Sequence, residues 1–341
     1  MKKTFSNWLV LVGLAFFISA CSKAPDVIAL SGSTMGTTYN IKVVPVPGLP
    51  DAKALQAEID VALERVNDQM STYRPDSELS RFNQLSPEQG IEVSADTVKV
   101  IEEGMRLHRM TGGALDITLG PLVNIWGFGP DKRPTHSPTD AEIAAAKLRT
   151  GIEHISIEGL KLTKHNAELY VDLSSIAKGF GVDVIAELLE KYHPSGYLVE
   201  IGGELRVKGT KADGSAWRIA IEKPVTDGRA VSEVVEPGTM GMATSGDYRN
   251  YFEENGKRFS HLIDPRTGYP IAHTLASVTV LHPSCMTADG LATAMMVLGS
   301  EASLALAKRE QLAIMLIEKQ GEQFVVHYSD AFLPFVKSTQ E

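Results

Sequence analysis

Hydrophobic residues recur at helical spacing in several parts of the chain. The first such run consists of Leu55, Ile59, Leu63, Val66 and Met70. Asp51 precedes this run and is a good N-cap residue, so we predict an amphipathic helix that begins there. A second predicted helix begins near Ser94 and ends at Gly112–Gly113, because glycine commonly terminates helices.

Short apolar runs rich in strand-forming residues dominate the chain after residue 150. The predicted strands are Ile155–Ile157, Leu160–Thr163, Leu169–Leu173, Tyr197–Lys208, Trp217–Glu222, Ala230–Val235, Ser277–Leu281, Ala313–Ile317 and Phe324–Tyr328. Further helices are predicted at Asp140–Arg149, Phe180–Tyr192, Thr287–Leu298 and Glu301–Lys308. Gly120–Pro130 is interpreted as a glycine-rich loop, and Gly202–Gly203 as a bulge within its strand. Many strands follow one another without a helix between them, so we predict a single-domain α+β fold with a largely antiparallel sheet.

The N-terminus has the form of a secretory signal. Met1–Lys3 supplies positive charge, and the apolar run Trp8–Phe17 that follows is too short for a comfortable membrane span. Ile18–Ala20, directly before Cys21, resembles a bacterial lipobox. The resemblance implies cleavage before Cys21 and lipidation of that cysteine.

These features divide the chain into three predicted parts. We expect a signal peptide at 1–20, a tether at 21–30 and the functional domain at 31–337. The predicted location is the periplasmic side of a bacterial membrane, with a lipid anchor at Cys21. Ser22, not aspartate, follows the cysteine; this leaves the choice of membrane open, and we favour the inner membrane.

Composition and charge narrow the classes of ligand. The formal net charge of −9 argues against nonspecific nucleic-acid binding, so no nucleic-acid partner is predicted. A phosphate ligand would need a metal ion to offset repulsion. Besides Cys21 the sequence has one cysteine, Cys285, which we interpret as a small buried hydrophobe. The sequence contains neither a P-loop motif nor a complete dinucleotide-binding fingerprint.

The stretch Ser260–Pro270 places His261, Asp264 and Arg266 within seven residues. Its prolines and glycine exclude a continuous helix or central strand, so the polar side chains lie on a shaped loop. Such loops commonly display catalytic groups on a rigid scaffold. The alternative is a tight turn with a solvated ion pair.

Asp289 and Thr293 are four residues apart in a predicted helix that is otherwise apolar. Their oxygens therefore lie on one face. A carboxylate in such surroundings is costly unless it is hydrogen-bonded or bound to a cation. A carboxylate and a hydroxyl are hard ligands suited to Mg²⁺. The alternative is that Asp289 caps the start of the helix.

Asp172 ends an apolar run, and Lys178 lies in the first turn of the helix that follows. A cation and free amide groups at a helix start suit an anionic ligand. A plain Asp172–Lys178 ion pair is the alternative.

Six short motifs stand in the order found in the ApbE-type FAD:protein FMN transferases, and the sequence resembles that family over nearly the whole mature chain. The motifs are Ser33–Thr37, Gly112–Asp116, Val171–Gly179, Thr244–Tyr248, Ser260–Gly268 and Ala288–Thr293. The resemblance implies an α+β, T-fold-related architecture and a magnesium-dependent transferase. Such an enzyme cleaves the diphosphate of FAD, moves FMN onto a threonine hydroxyl of an acceptor protein through a phosphoester bond, and releases AMP.

The resemblance also assigns roles by motif position. The implied FAD contacts are Met35, Tyr73, Ala114, Leu115, Asp116, Asp172, Lys178 and Ile263. The implied Mg²⁺ ligands are Asp289, Thr293 and an oxygen of Ser175. Ala292 stands where some relatives carry a second carboxylate, so the number of metal ions stays open. Without the resemblance, Tyr73 would be interpreted as ordinary packing; with it, stacking on a flavin or adenine ring is expected.

The chemistry requires a base and charge neutralisation. A threonine hydroxyl is a weak nucleophile, and Mg²⁺ would neutralise the phosphoryl oxygens and the departing AMP. We predict His261 as the base, because its unperturbed pKa lies near neutral. Asp264 either orients the imidazole or serves as the base itself.

Two other functions remain open. One is an FAD pyrophosphatase that gives free FMN and AMP; the other is a non-catalytic periplasmic flavin-binding lipoprotein.

The acceptors implied by the resemblance are subunits of Na⁺-pumping NADH:quinone reductases or related electron-transfer complexes.

Overall fold

The computed structural model describes residues 27–129, 136–225, 230–246, 251–254 and 257–337. The predicted signal peptide and its lipidation site, Cys21, lie outside these ranges, as does most of the predicted tether. Ile28–Leu30, the last three residues of that tether, belong to the first strand of the sheet. Within the described part of the chain, every helix is too short or too polar to cross a membrane.

The described residues form strands β1 to β15 and helices α1 to α8. The strands are β1 (Ile28–Thr34), β2 (Thr37–Val43), β3 (Gly90–Glu92), β4 (Ile155–Glu158), β5 (Lys161–Lys164), β6 (Gly196–Ile201), β7 (Glu204–Gly209), β8 (Ile219–Glu222), β9 (Val231–Val235), β10 (Gly241–Gly246), β11 (Tyr251–Glu254), β12 (Lys257–Ser260), β13 (Leu275–His282), β14 (Ala313–Gln320) and β15 (Gln323–Tyr328). The helices are α1 (Ala52–Met70), α2 (Glu78–Asn83), α3 (Ala95–Met110), α4 (Gly120–Ile125), α5 (Asp140–Lys147), α6 (Ala177–Glu190), α7 (Cys285–Leu298) and α8 (Ser300–Glu310).

The central sheet has eight strands in the order β1-β2-β6-β7-β10-β13-β14-β15, and every neighbouring pair is antiparallel. Smaller sheets are formed by β3-β5-β4, by β8-β9 and by β11-β12. The predicted α+β fold with a largely antiparallel sheet is confirmed.

Helix α1 shows how the sequence pattern becomes structure. The five apolar residues that predicted it are all buried, and the carboxylate of Asp51 accepts a hydrogen bond from the Ala54 N–H at 2.9 Å. The main hydrophobic core lies between one face of the sheet and helices α1, α3, α6 and α7. The other face is covered by a smaller apolar cluster that includes Trp217 and Phe332. Strand β13, which lies between these two layers, is buried over seven consecutive residues.

Several predicted elements differ from the structure. Leu169–Leu173 is not a strand, although Leu169, Val171 and Leu173 are buried as a strand's alternate residues would be. The main chain of Val171 pairs with a side-chain amide instead: Asn83 Nδ2 donates to its carbonyl, and its N–H donates to Asn83 Oδ1, both at 2.8 Å. Gly120–Pro130, interpreted as a loop, begins with the short helix α4.

Gly202–Gly203 is not a bulge but the two-residue turn of the β6-β7 hairpin. Ile201 pairs with Glu204 across it. Both glycines have positive φ angles, 62° and 109°, which suits the tight turns that join antiparallel strands. The correction matters because Glu204, the first residue after the turn, is thereby fixed on a central strand.

Candidate active site

Helix α7 begins earlier than predicted, and this changes the position of Asp289 within it. The Ser284 side chain caps the helix by accepting from Thr287 N–H at 3.3 Å. The buried carboxylate of Asp183 accepts from the N–H groups of Cys285 and Met286 at 3.1 and 3.0 Å. Asp289 therefore lies in the second turn, and the alternative that it caps the helix start is wrong.

Asp289 joins α7 to the start of α6. Its Oδ2 accepts a hydrogen bond from the Gly179 N–H at 2.9 Å, and the residue is only 5% exposed. A Cβ on Gly179 would lie 2.3 Å from the Cys285 carbonyl oxygen, so the two helices touch only because residue 179 has no side chain. Burial raises the pKa of Asp289, while Lys178 and the Gly179 N–H oppose the rise.

Lys178 does not pair with Asp172; it lies between two other carboxylates. Its Nζ is 2.5 Å from Glu204 Oε2 and 4.0 Å from Asp289 Oδ1. Burial alone would lower the pKa of Lys178, but the charges of Asp289 and Glu204 outweigh it and raise the pKa. Burial also raises the pKa of Glu204 to about 7; Lys178 opposes this and Asp289 adds to it.

The β1-β2 turn brings Met35 to the same helix. Met35 has a φ of 48°, a conformation that non-glycine residues adopt rarely. A Cβ added to Gly181 would lie 2.8 Å from Met35 Cε, so the methionine packs against α6 one turn beyond Lys178.

Asp172 lies where two loops meet. Its N–H donates to the Ile117 carbonyl at 2.8 Å, and its Oδ1 accepts from Ser174 N–H at 2.8 Å. Burial, and after it the charge of Asp172, raises the pKa of the Tyr73 phenol. The Tyr73 residue is 68% exposed, so its ring is open to a ligand.

The loop that contains Ala114, Leu115 and Asp116 packs on α7. Leu115 Cδ2 would be 3.3 Å from a Cβ on Gly290, which lies next to Asp289. Burial raises the pKa of Asp116, while hydrogen bonds from the Thr118 N–H and hydroxyl, at 2.8 and 2.6 Å, oppose the rise.

His261 follows β12 and begins a tightly bonded loop. Its ring meets the edge of Phe128 with the ring centroids 6.2 Å apart. Asp264 accepts from Arg266 Nε and Nη2 at 2.9 and 2.8 Å, so its carboxylate is occupied by a guanidinium. Ile263 is 4% exposed and packs in a separate apolar cluster with Trp126.

Helix α7 carries Asp289 and Thr293, two of the candidate metal ligands, and it also contacts the loop that contains His261. Arg266 Nη2 donates to the Val297 carbonyl at 3.5 Å. Val297 is eight residues after Asp289, which corresponds to about 12 Å along a helix axis, with Thr293 halfway. Thr293 is half-buried, as is Ser175 in the turn before α6. Asp289 and Thr293 therefore lie on α7, and the loop that contains His261 is attached to the same helix through Arg266.

The oxygen-rich donor set fits a hard divalent cation. Asp289 and Glu204 are both buried beside a single ammonium group, so a bound cation would offset the cost of burying the second carboxylate. Within the described ranges, no group of three or more His, Cys, Asp or Glu side chains is placed to hold a metal. A magnesium site needs fewer protein ligands, because phosphates and water complete its shell.

Known proteins place this fold and these loops in one enzyme class. Residues 35–316 match the model of the ApbE family, so the chain belongs to that family. Its members with closely similar sequences are named as flavin transferases, and the predicted family and enzyme class are thereby confirmed.

The similar proteins span nearly the whole chain. An FAD:protein FMN transferase of Vibrio cholerae is 55% identical over 330 residues, which cover 97% of this chain and 99% of the relative. One from Haemophilus influenzae is 51% identical over 339 residues, covering 97% and 98%. The structure of the flavin transferase ApbE from Vibrio cholerae superposes with a TM-score of 0.86, covering 91% of this chain and 99% of that one. The structure of a histidine-to-glycine mutant of that Vibrio cholerae protein superposes with a TM-score of 0.85.

Two residues of the site escaped the sequence analysis. Asn83 holds the segment before Asp172, and Glu204 holds Lys178. The available signal for Glu204 was the preceding pair of glycines, which predicts a hairpin turn as readily as a bulge. No comparable signal marked Asn83, because its partner is a main chain distant in the sequence.

Proposed function

We propose that the chain uses a divalent cation, Mg²⁺, to transfer FMN from FAD to a threonine hydroxyl of an acceptor protein, with release of AMP. Flavin transferase activity itself rests on the relatives, which share half or more of their residues with this chain. The metal, the released product and the acceptor residue go beyond those comparisons.

The observation that carries the proposal is the pair of buried carboxylates, Asp289 and Glu204, beside the half-buried ammonium of Lys178 at the start of α6. An anion of the diphosphate type would meet the ammonium of Lys178 there. Asp289 and Thr293, with an oxygen of Ser175, would hold the cation. When bound, Mg²⁺ supplies charge neutralisation for the phosphoryl oxygens and the leaving AMP.

The chain's own residues perform the remaining steps. Lys178 binds a phosphate oxygen of FAD. Met35, Tyr73, the 114–116 loop, Asp172 and the main chain of Ile263 hold the rest of the dinucleotide, with Tyr73 stacking on a ring.

His261 takes the proton from the hydroxyl of the acceptor threonine. The threonine oxygen forms a bond to the FMN phosphorus while the bond between that phosphorus and the AMP oxygen breaks. Because Arg266 occupies both oxygens of Asp264, we assign Asp264 a structural role in shaping the loop rather than the role of base. Its carboxylate holds Arg266, which anchors the loop to α7.

The site of action also belongs to the proposal. We expect the mature chain to be lipid-anchored at Cys21 on the periplasmic side of a membrane. The acceptors would be flavoprotein subunits of redox-driven ion pumps such as Na⁺-pumping NADH:quinone reductase.

The decisive experiment combines protein, FAD, Mg²⁺ and a candidate acceptor. Flavin fluorescence that stays on the acceptor through denaturing electrophoresis, together with AMP release, would support the transferase. AMP and free FMN without labelled acceptor would indicate a pyrophosphatase, and intact bound FAD would indicate a carrier.

Asp289→Asn tests the metal site within that experiment. The amide keeps the side-chain shape but loses the charge, so the Mg²⁺ concentration for half-maximal transfer should rise sharply. The matched control is Asp330→Asn, an exposed carboxylate beside the other face of the sheet. Identical magnesium titrations for Asp289→Asn and wild type would place the cation elsewhere.

A further inference from the structure

Glu204 is a buried carboxylate with no assigned role. It is 3% exposed, and its Oε2 makes no hydrogen bond of ordinary geometry, although Lys178 Nζ lies 2.5 Å away. A buried charge is retained only where another charge compensates it. The contact with Lys178 is therefore an electrostatic one between groups on two different elements.

Lys178 has two possible carboxylate partners. Its ammonium is 2.5 Å from Glu204 and 4.0 Å from Asp289, so Glu204 holds it at present. If the ammonium moved onto Asp289, it would occupy the oxygen that a cation needs. An ammonium and a divalent cation would then compete for one carboxylate.

Rigid main chain fixes the position of Glu204. It begins β7 directly after the two-glycine turn and pairs with Ile201 across the hairpin. Lys178 lies in the first turn of α6, and its Cδ would be 3.5 Å from a Cβ on Gly202. The hairpin thus holds both the carboxylate and the stem of the lysine.

We propose that Glu204 is a positioning residue that keeps Lys178 away from Asp289 and so leaves the Asp289 carboxylate available to a divalent cation. The inference rests on the proposed function, since it takes Asp289 as the cation ligand. In this role Glu204 does not touch the cation. It acts through the lysine alone.

The test is a double-mutant cycle on cation binding, without FAD or turnover. Mn²⁺ serves as the probe, and its free concentration is measured by electron paramagnetic resonance. The proteins are wild type, Glu204→Gln, Lys178→Met, the double variant, and Asp289→Asn. Glu204→Gln should weaken Mn²⁺ binding about ten- to a hundredfold, which is the range expected when a charged contact changes partner.

The double variant separates positioning from other roles. With Lys178→Met in place there is no ammonium to compete, so adding Glu204→Gln should change Mn²⁺ affinity by less than about threefold. If Glu204 were itself a ligand, or acted only as a nearby charge, its loss would weaken binding equally with either residue at position 178. That result would overturn the inference, as would an unchanged affinity in Glu204→Gln.

Glu204→Asp is the control for misfolding, because it keeps the negative charge on a shorter side chain. It should bind Mn²⁺ more tightly than Glu204→Gln, and equal weakening in both would contradict the inference. Asp289→Asn distinguishes the two levels of the argument. If it binds Mn²⁺ as wild type does, the proposed metal site fails and the inference with it; if it does not bind, only the Glu204 results decide the inference.

Discussion

Replacing Gly179 by alanine would insert a methyl group where α6 meets α7. The new Cβ would lie 2.3 Å from the Cys285 carbonyl oxygen and 2.7 Å from Asp289 Cβ. Neither neighbour is the free end of a flexible side chain. The helices must therefore separate by roughly 1 Å to restore ordinary contact distances.

The magnitude follows from two opposing effects. Alanine in a helix is favoured over glycine by about 1 kcal/mol. Overpacking of a rigid contact costs about 3 kcal/mol, so we expect a net loss near 2 kcal/mol and a melting temperature lower by about 4 °C. A displacement of Asp289 by about 1 Å should also lower the transfer rate about a hundredfold.

Gly181→Ala is the matched control for stability, in the same helix two residues further on. Its Cβ would lie 2.8 Å from Met35 Cε and 3.4 Å, an ordinary contact distance, from Ile201 Cδ1, and the unbranched methionine side chain can rotate away. We expect its stability to stay within about 1 kcal/mol of wild type. Thermal unfolding and single-turnover transfer measure both effects. A Gly179→Ala protein with wild-type melting temperature and rate would refute the close contact on which the position of Asp289 depends.

Three further variants test other parts of the molecule. His261→Ala should retain FAD affinity and lose most transfer, because it removes the base and not a binding group; an undiminished single-turnover rate would exclude His261 from the mechanism. Asn83→Ala leaves the N–H and carbonyl of Val171 without partners, so urea unfolding should show a loss of about 2–3 kcal/mol, accompanied by weaker FAD binding; unchanged values for both would show that the clamp is dispensable. Burial lowers the pKa of His282 in the folded protein below its ordinary value of 6.5. As the pH falls below 6.5 the unfolded chain therefore takes up the proton first, and the free energy of unfolding declines. His282→Gln should therefore flatten the decline in unfolding free energy between about pH 6.5 and 5, and an equally steep decline would assign the acid sensitivity to other groups.

Local sequence patterns were sufficient to predict an element wherever the spacing of apolar residues alone decides its secondary structure. Helix α1 was predicted from its apolar stripe and its aspartate cap, and both are present. The segment Leu169–Leu173 shows the limit of that reasoning. Its alternating buried residues are those of a strand, but whether a strand finds a partner depends on what lies beside it. Here that neighbour is the side chain of Asn83.

The site residues also divide into those that the sequence indicated and those that only the structure revealed. Motifs indicated Asp289, Lys178 and Asp172 as chemically important. They did not indicate that Lys178 would face Glu204. The ion pair that was the alternative for the 260–270 loop is present, because Arg266 donates to Asp264. The alternatives left by the sequence, a helix-capping Asp289 and an Asp172–Lys178 pair, were both plausible from spacing alone, and the structure replaced both.

The amino-acid sequence by itself determined the helical and extended periods, the α+β class and the family, because these depend on the kind and order of residues along the chain. The tertiary structure alone decided which charges share one buried space. Coulombic attraction and the cost of removing water depend on distances through space, and the turn at Gly202 brings Glu204 to Lys178 across a separation that the order of residues does not reveal.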